Sequence, residues 1–375
     1  MSANAVRLVS ASQYFWLVQG SLLAGGLELW PGILGTAGAD WLWALLACAA
    51  VTAGVTRLQL AWGSRTPGTV FFDHLRAAWG GLAWPWYGGM VALTLAVDCV
   101  LLALFSDWLQ TFFFPNTPAL ALRSFLLPIA AWMAISSVNA LARNVRLWLA
   151  LGLGSFAVTF AVLLLHSHVP AALAPAWPPA TSGTLSGLTR TWFAWADAGA
   201  ALTLSSSVQD AKPGVVARRA VGAVAAQVTL VLVVTLMALM AVGPWAPRTQ
   251  LFPAAILLLG GAANTTSFAR FAVIVMLAWS SALVSYLAVR MFVVSANLRA
   301  AFGGPRSWQP WYVALLALVL AVGSWRLPAA ALLLPMATHD LSPIVLIWIG
   351  SLHALTAVLV AARGRRRPLP SLGTP

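Results

Sequence analysis

The sequence has 375 residues, of which 61% are hydrophobic and only 8% are charged, and its mean hydropathy is +0.88. Soluble domains carry about a quarter charged residues, so this composition excludes an ordinary soluble enzyme or binding domain. The net charge of +13 does not indicate nucleic-acid binding, because most basic residues stand in short segments between apolar runs, where they set membrane topology. We therefore expect an all-α integral membrane protein.

Apolar runs of about 20 residues, the length that crosses a hydrocarbon core of ~30 Å, recur along the whole chain. Polar, proline and glycine breaks divide these runs into ten predicted spans: 12–35, 40–61, 82–114, 118–138, 145–166, 187–208, 215–243, 266–298, 310–334 and 341–362. Arginine and lysine concentrate in alternate connecting segments and in the tail 363–375. This bias puts both termini in the cytoplasm and predicts one transmembrane domain over 1–375.

The first span contains the stretch GSLLAGGLELWPG at residues 20–32, with Pro31 and the only glutamate of the chain, Glu28. A broken helix and a carboxylate are both costly in lipid unless they line a cavity. We expect this span to be a broken helix whose glycines let a ligand approach the backbone. Glu28 is either functional there or a carboxylate near the outer interface.

Two aspartates lie inside the third span, Asp98 near its middle and Asp107 nearer its outer end. Ionisable residues within spans usually face a cavity or a partner. We expect a functional role for Asp98. Asp107 is expected to be solvated or paired with Arg123.

The sixth span repeats the irregularity of the first in FAWADAGAALTLSSSVQD, which contains Asp197, a run of small residues and three serines. The small residues alternatively serve close helix packing, and Asp197 alternatively pairs with Arg190 two turns earlier. Interrupted helices at corresponding positions of two halves are typical of inverted-repeat transporters of the LeuT type. The first repeat is then expected over about 12–166. The second covers about 187–334 and part of the remaining helices to 362.

A short amphipathic helix on the cytoplasmic face is predicted between spans two and three. Its apolar positions are Val70, Phe71, Leu75 and Ala78, opposite Asp73, His74 and Arg76. His353, in the last span, is expected to be a packed polar residue. The sequence has no metal-ligand spacing, paired-carboxylate motif or nucleophile elbow, so neither an enzyme nor a metal or cofactor site is indicated.

Several stretches carry a family resemblance in the expected order along the chain: SASQYFWLVQGSLLAGG, AGADWLWALL, SRTPGTVFFDHLRAAWGG, SDWLQTFFFPNTP, SSSVQDAKPGVVARRA and AVGPWAPRTQLFP. Together they resemble the B subunit of GerA-type spore germinant receptors, which are spore germination permeases of the APC superfamily. The resemblance implies a nutrient-sensing subunit in the spore inner membrane, with an A-type membrane subunit and a C-type lipoprotein as partners. The alternative is a working amino-acid transporter coupled to H⁺ or Na⁺.

A LeuT-like fold with helices 1 and 6 broken leads to a predicted pocket for a small nutrient such as an amino acid or a sugar. The residues expected to line it are Gly20, Leu23, Gly25, Gly26, Asp98, Ala200, Ser205 and Ser206. Glu28, Asp98 and Asp197 are the candidates for coupling to a proton or ion. Membrane lipid is the surrounding partner, and no cofactor is expected.

Overall fold

The computed structural model describes residues 9–63, 68–166, 177–195, 199–208, 212–242, 269–328 and 330–364. Within these ranges every regular element is a helix, apart from one isolated parallel bridge between Val9 and Val208. The expected all-α class is confirmed. Most of the predicted tail, 365–375, lies outside the described residues.

Thirteen helices are described, several of them extended by short 3₁₀ or π turns. They are α1 (Ala11–Ala37), α2 (Trp41–Gly63), α3 (Phe71–Trp79), α4 (Ala83–Phe112), α5 (Ala119–Ile135), α6 (Val138–His166), α7 (Thr181–Thr191), α8 (Ala200–Ser205), α9 (Pro213–Val242), α10 (Ala269–Phe302), α11 (Gln309–Trp325), α12 (Ala330–Met336) and α13 (Ser342–Gly364). Six helical segments within the described ranges are long and apolar enough to cross a membrane: Gly35–Gly63, Phe71–Thr111, Pro213–Leu236, Met276–Phe302, Arg306–Trp325 and Leu332–Val360. The ten-span count and the cytoplasmic termini stay predictions.

Helix α1 lies at the centre of the packing, against α9, α7, α10 and α6. It begins with a capping box, in which the Ser10 amide donates to Gln13 Oε1 (2.9 Å) and the Gln13 amide donates to Ser10 Oγ (3.2 Å). Such reciprocal bonds satisfy two amides at the helix start that have no partner within the helix. The Gln13 amide group also donates to Asn139 Oδ1 (2.9 Å), which ties the start of α1 to α6.

The predicted break in the first span is wrong. Helix α1 runs without interruption from Ala11 to Ala37 and therefore includes Gly25, Gly26 and Glu28. A glycine costs a helix interior only about 1 kcal/mol relative to alanine. Packing of α1 on four neighbouring helices compensates for that penalty, so the glycines permit a break without imposing one.

The predicted break in the sixth span is confirmed. Helix α7 ends at Thr191, a 3₁₀ turn covers Trp192–Trp195, and the described chain resumes at Gly199 before α8. Gly199 has φ +79°, and a Cβ placed on it would lie 2.5 Å from the Phe71 ring. Both the left-handed backbone and the close packing therefore require glycine at this position.

The predicted amphipathic helix is present as α3, and it buries Phe71, Phe72, Leu75 and Ala78. The expected polar position of His74 is wrong, because His74 is also buried and its ring is 2.7 Å from the Thr69 hydroxyl. Helix α3 packs against α4, α10 and α13, so more than one of its faces is covered. A single-sided amphipathic pattern underestimates burial in such a position.

We expect Ser10→Ala to lower the free energy of unfolding by about 1 kcal/mol, because it removes the cap of α1. The measurement is denaturant titration of the purified protein in a mild detergent. Ser124→Ala is the matched control, because the exposed Ser124 hydroxyl bonds only the Leu120 carbonyl within its own helix. Equal stability of the two variants would contradict the capping role of Ser10.

Candidate functional site

A buried charged centre joins α4 to α10. Asp98 is 2% exposed, and its Oδ1 lies 2.7 Å from Arg290 Nε. The Tyr286 hydroxyl donates to the same oxygen (3.1 Å), and the Arg290 guanidinium stacks 4.8 Å from the centre of the Tyr286 ring. Tyr286 and Arg290 are four residues apart on α10 and so share one face of the helix.

This arrangement neutralises two charges that would each be costly away from water. Transfer of a single ion into a protein interior costs several kcal/mol unless it is paired and hydrogen-bonded. The Asp98 carboxylate is therefore engaged by Arg290 and Tyr286. Asp98 is expected from the sequence, whereas Arg290 was missed, although an arginine inside a predicted span is itself a signal that a carboxylate lies opposite.

Buried polar atoms lie on the same two helices and at the helix break. They are Thr94 Oγ1, four residues before Asp98 on α4, Ser285 Oγ on α10, and Trp192 Nε1 at the start of the break. Within the described part of the chain, none of these three atoms has a hydrogen-bond partner. An unsatisfied buried donor or acceptor costs about 1–3 kcal/mol, so a bound ligand that supplies the missing bonds would be stabilised.

A second polar network lies beside α8. The Gln59 side chain lies 3.0 Å from His353 Nε2, and His353 Nδ1 lies 2.6 Å from the Ile349 carbonyl oxygen. Since a carbonyl only accepts, His353 carries its proton on Nδ1 and receives the Gln59 amide on Nε2. The buried His353 ring contacts both the Trp62 and the Phe71 rings, so the expectation of a packed polar His353 is confirmed.

The first amides of α3 are bound by side chains of two other helices. The Phe72 amide donates to Asn297 Oδ1 (2.8 Å), and Asn297 Nδ2 donates to Thr203 Oγ1 (2.9 Å). The Phe71 amide donates to the same Thr203 oxygen (3.4 Å). These bonds satisfy the open amides at the start of α3 and tie α8, the second part of the broken helix, to α3 and α10.

The structure distributes the predicted pocket residues over several environments. A Cβ on Gly20 would lie 2.9 Å from Val145 and 3.4 Å from Val289, so Gly20 packs against α6 and α10. Ala200 is buried at the start of α8. The hydroxyls of Ser205 and Ser206 donate to carbonyls of their own helix, those of Leu202 (2.7 Å) and Thr203 (2.6 Å).

Leu23 is buried on α1, and its carbonyl accepts a bond from Gln227 Nε2 of α9 (3.2 Å). The helical backbone is described at Gly25, Gly26 and Glu28, but the Glu28 side chain lies outside the described part, as does the whole of Asp197.

In the described residues, no group of three or more His, Cys, Asp or Glu could hold a metal ion. The pairing of Asp107 with Arg123 is confirmed at 3.3 Å.

The sequence profile of a family described as spore germination protein matches residues 8–326. This chain belongs to that family. The matched part of the chain includes the capping box of α1, the charged centre and the helix break. No curated protein matches the chain.

Two solved structures show the fold of this chain. MhsT in complex with L-phenylalanine superposes with a TM-score of 0.70 at 14% identity, over 95% of this chain and 98% of MhsT. A manganese transporter from Eremococcus coleocola, solved as a mutant, superposes with a TM-score of 0.55 at 10% identity, over 96% of this chain and 79% of the transporter. The protein is therefore an integral membrane protein with a LeuT-like transporter fold.

Proposed function

We propose that this protein is the nutrient-sensing membrane subunit of a spore germinant receptor. The single observation that carries the proposal is the helix break after Thr191 within a transporter fold, where the Trp192 indole N–H is buried and has no partner among the described residues. Broken helices of transporters form substrate sites because their backbone is tolerated in a membrane only where it lines a cavity. Family membership supports germination as the process that the subunit serves.

The pocket would be built from the break, α1, α4 and α10. Trp192 Nε1, Thr94 Oγ1 and Ser285 Oγ would bond the polar groups of a small nutrient, while the Asp98–Arg290 pair supplies a polar wall. Gly25, Gly26 and Ala200 would form its small-residue lining. An amino acid is the ligand class we favour, since the structural relative MhsT was solved with L-phenylalanine.

Sensing requires that ligand binding favours one arrangement of the helices over another. Helix α8 is tied to α3 and α10 through Thr203 and Asn297, so movement at the break would be transmitted to those helices. An A-type membrane subunit and a C-type lipoprotein in the spore inner membrane would read this movement. Glu28 and Asp197 remain our candidates for ion coupling.

We expect Gly25→Trp to abolish the germination response to the cognate nutrient. Overpacking by one bulky side chain costs about 1–3 kcal/mol, which corresponds to about a 5- to 150-fold loss of affinity. Dipicolinate release is measured across a panel of amino acids and sugars, in spores that carry this receptor alone. Gly35→Trp in the same helix is the control, because a Cβ at Gly35 meets no atom within 4 Å.

Both variants are first compared by immunoblot of spore membranes, so that a lost response is not mistaken for lost protein. A normal response of the Gly25→Trp spores would refute the pocket. An unchanged response of spores lacking the gene altogether would refute the sensor.

The second candidate function is an H⁺- or Na⁺-coupled amino-acid transporter, which the fold shared with MhsT favours. Sensing and transport would use the same pocket, so uptake separates them. Radiolabelled nutrient that binds proteoliposomes and does not accumulate in them supports the sensor. Accumulation driven by an ion gradient supports the transporter.

A further inference from the structure

A cavity of about 80 Å³ lies between α1, α6, α9 and α10. Twelve residues line it, and all but one are apolar or glycine: Phe15, Trp16, Gln19, Leu23, Trp148, Leu149, Gly152, Leu153, Ala226, Leu230, Ala278 and Ala282. The exception is Gln19, which is only 4% exposed. None of the residues of the helix break or of the Asp98–Arg290 pair belongs to this lining.

The hydrogen bonds around Gln19 determine which of its atoms is left over. Gln227 Nε2 donates to the Leu23 carbonyl (3.2 Å), which can only accept. The other end of that amide, Gln227 Oε1, therefore faces Gln19 and accepts from Gln19 Nε2 (2.8 Å). This chain of bonds fixes both amides and leaves Gln19 Oε1 as a buried acceptor with no partner within the described residues.

We propose that this cavity is a binding site for a neutral, mainly apolar molecule that carries a single O–H or N–H group. That group would donate a hydrogen bond to Gln19 Oε1. Neutrality follows from the lining, because none of the described side chains that border the cavity carries a charge to balance an ion. A single donor follows from the single open acceptor. This site does not depend on the proposed nutrient pocket or on germination.

Water alone fills the site poorly. Buried waters usually make about three hydrogen bonds to protein, whereas among the described lining residues Gln19 Oε1 is the one buried polar atom without a partner. An apolar chain, in contrast, gains contact with the lining at roughly 25 cal/mol per Å² of apolar surface removed from water. A molecule with a hydroxyl at the end of such a chain would bond Gln19 Oε1 and also contact the apolar lining.

The cavity adjoins the exposed apolar surface of α6, and in a membrane protein such a surface faces lipid. Leu153 at the rim is 39% exposed, and Leu147 and Leu151 on the same helix are 58% and 55% exposed. A volume of about 80 Å³ exceeds the ~10–15 Å³ that one water needs, so it takes a hydroxyl and a few carbons. The polar end of the ligand would therefore enter first, and the rest of a short chain would extend towards the bilayer.

The test uses the full-length protein in lipid nanodiscs and two probes of matched shape, 4,4,4-trifluorobutan-1-ol and 1,1,1-trifluoropentane. They differ in a hydroxyl against a methyl group, and fluorine NMR follows both. Empty nanodiscs of the same lipid give the background from partition into the bilayer. We expect a saturable bound signal for the alcohol, with an affinity about tenfold above that of the alkane, because only the alcohol supplies the missing hydrogen bond.

Two variants locate the site. Ala226→Leu fills the cavity and should abolish the saturable signal of the alcohol, while Ala121→Leu, at an exposed position on α5, should leave it unchanged. Gln19→Met keeps the side-chain length, removes the acceptor and should make the two probes bind equally. No saturable alcohol binding to the wild-type protein, or equal binding of alcohol and alkane, would overturn the proposal without recourse to any variant.

Discussion

Arg290→Met is expected to destabilise the protein severely. It leaves the Asp98 carboxylate without its cation in a position that is 2% exposed. Breaking a buried ion pair by removing one partner costs about 3–5 kcal/mol, because the remaining charge is uncompensated. The measurement is the free energy of unfolding from denaturant titration in detergent, with the yield of monodisperse protein as a second readout.

The double variant Asp98→Leu/Arg290→Met separates charge from packing. Replacement of both members of a buried pair by apolar residues is often neutral or stabilising, so the double variant should regain most of the lost stability. If it also regains the nutrient response, the pair is structural only; if the response stays absent in a stable protein, the pair acts in sensing. A wild-type stability of Arg290→Met alone would contradict the buried pairing itself.

Gly199→Ala is the second substitution with a large expected effect. A left-handed backbone costs a non-glycine residue about 1–2 kcal/mol, and the new Cβ would meet the Phe71 side chain at 2.5–2.9 Å. Overpacking in a buried site adds about 1–3 kcal/mol. We therefore expect a total loss of about 2–5 kcal/mol in the free energy of unfolding, together with loss of the nutrient response.

Gly303→Ala is the matched control for this substitution. Gly303 also has a positive φ, +69°, but a Cβ there meets no atom within 4 Å. Only the backbone penalty of about 1–2 kcal/mol then applies. Equal losses in the two variants would show that the contact between Gly199 and Phe71 contributes nothing, and that the break is not held by α3.

Local features of the helix ends follow directly from the sequence. The amphipathic spacing of Phe71, Leu75 and Ala78 is sufficient to predict α3. In the same way, the small-residue run in the sixth span is sufficient to predict an interruption, which the structure shows before α8, with Gly199 as its cap. These predictions succeed because periodicity and glycine act within a few residues. Local pattern fails for α1, where tertiary packing on four helices keeps a glycine-rich stretch helical.

The partners of buried polar side chains could not be derived from the sequence. Asp98 and Tyr286 are 188 positions apart, Gln19 and Gln227 are 208 apart, and Gln59 and His353 are 294 apart. Periodicity reports which face of a helix is apolar, but it carries no information on which distant helix covers that face. Composition and spacing therefore determined that the chain is a helical membrane protein with an interrupted sixth span. Only the tertiary structure decided that Asp98 is neutralised by Arg290. A buried charge is costly unless it is paired, and the fold determines which residue of opposite charge lies beside it.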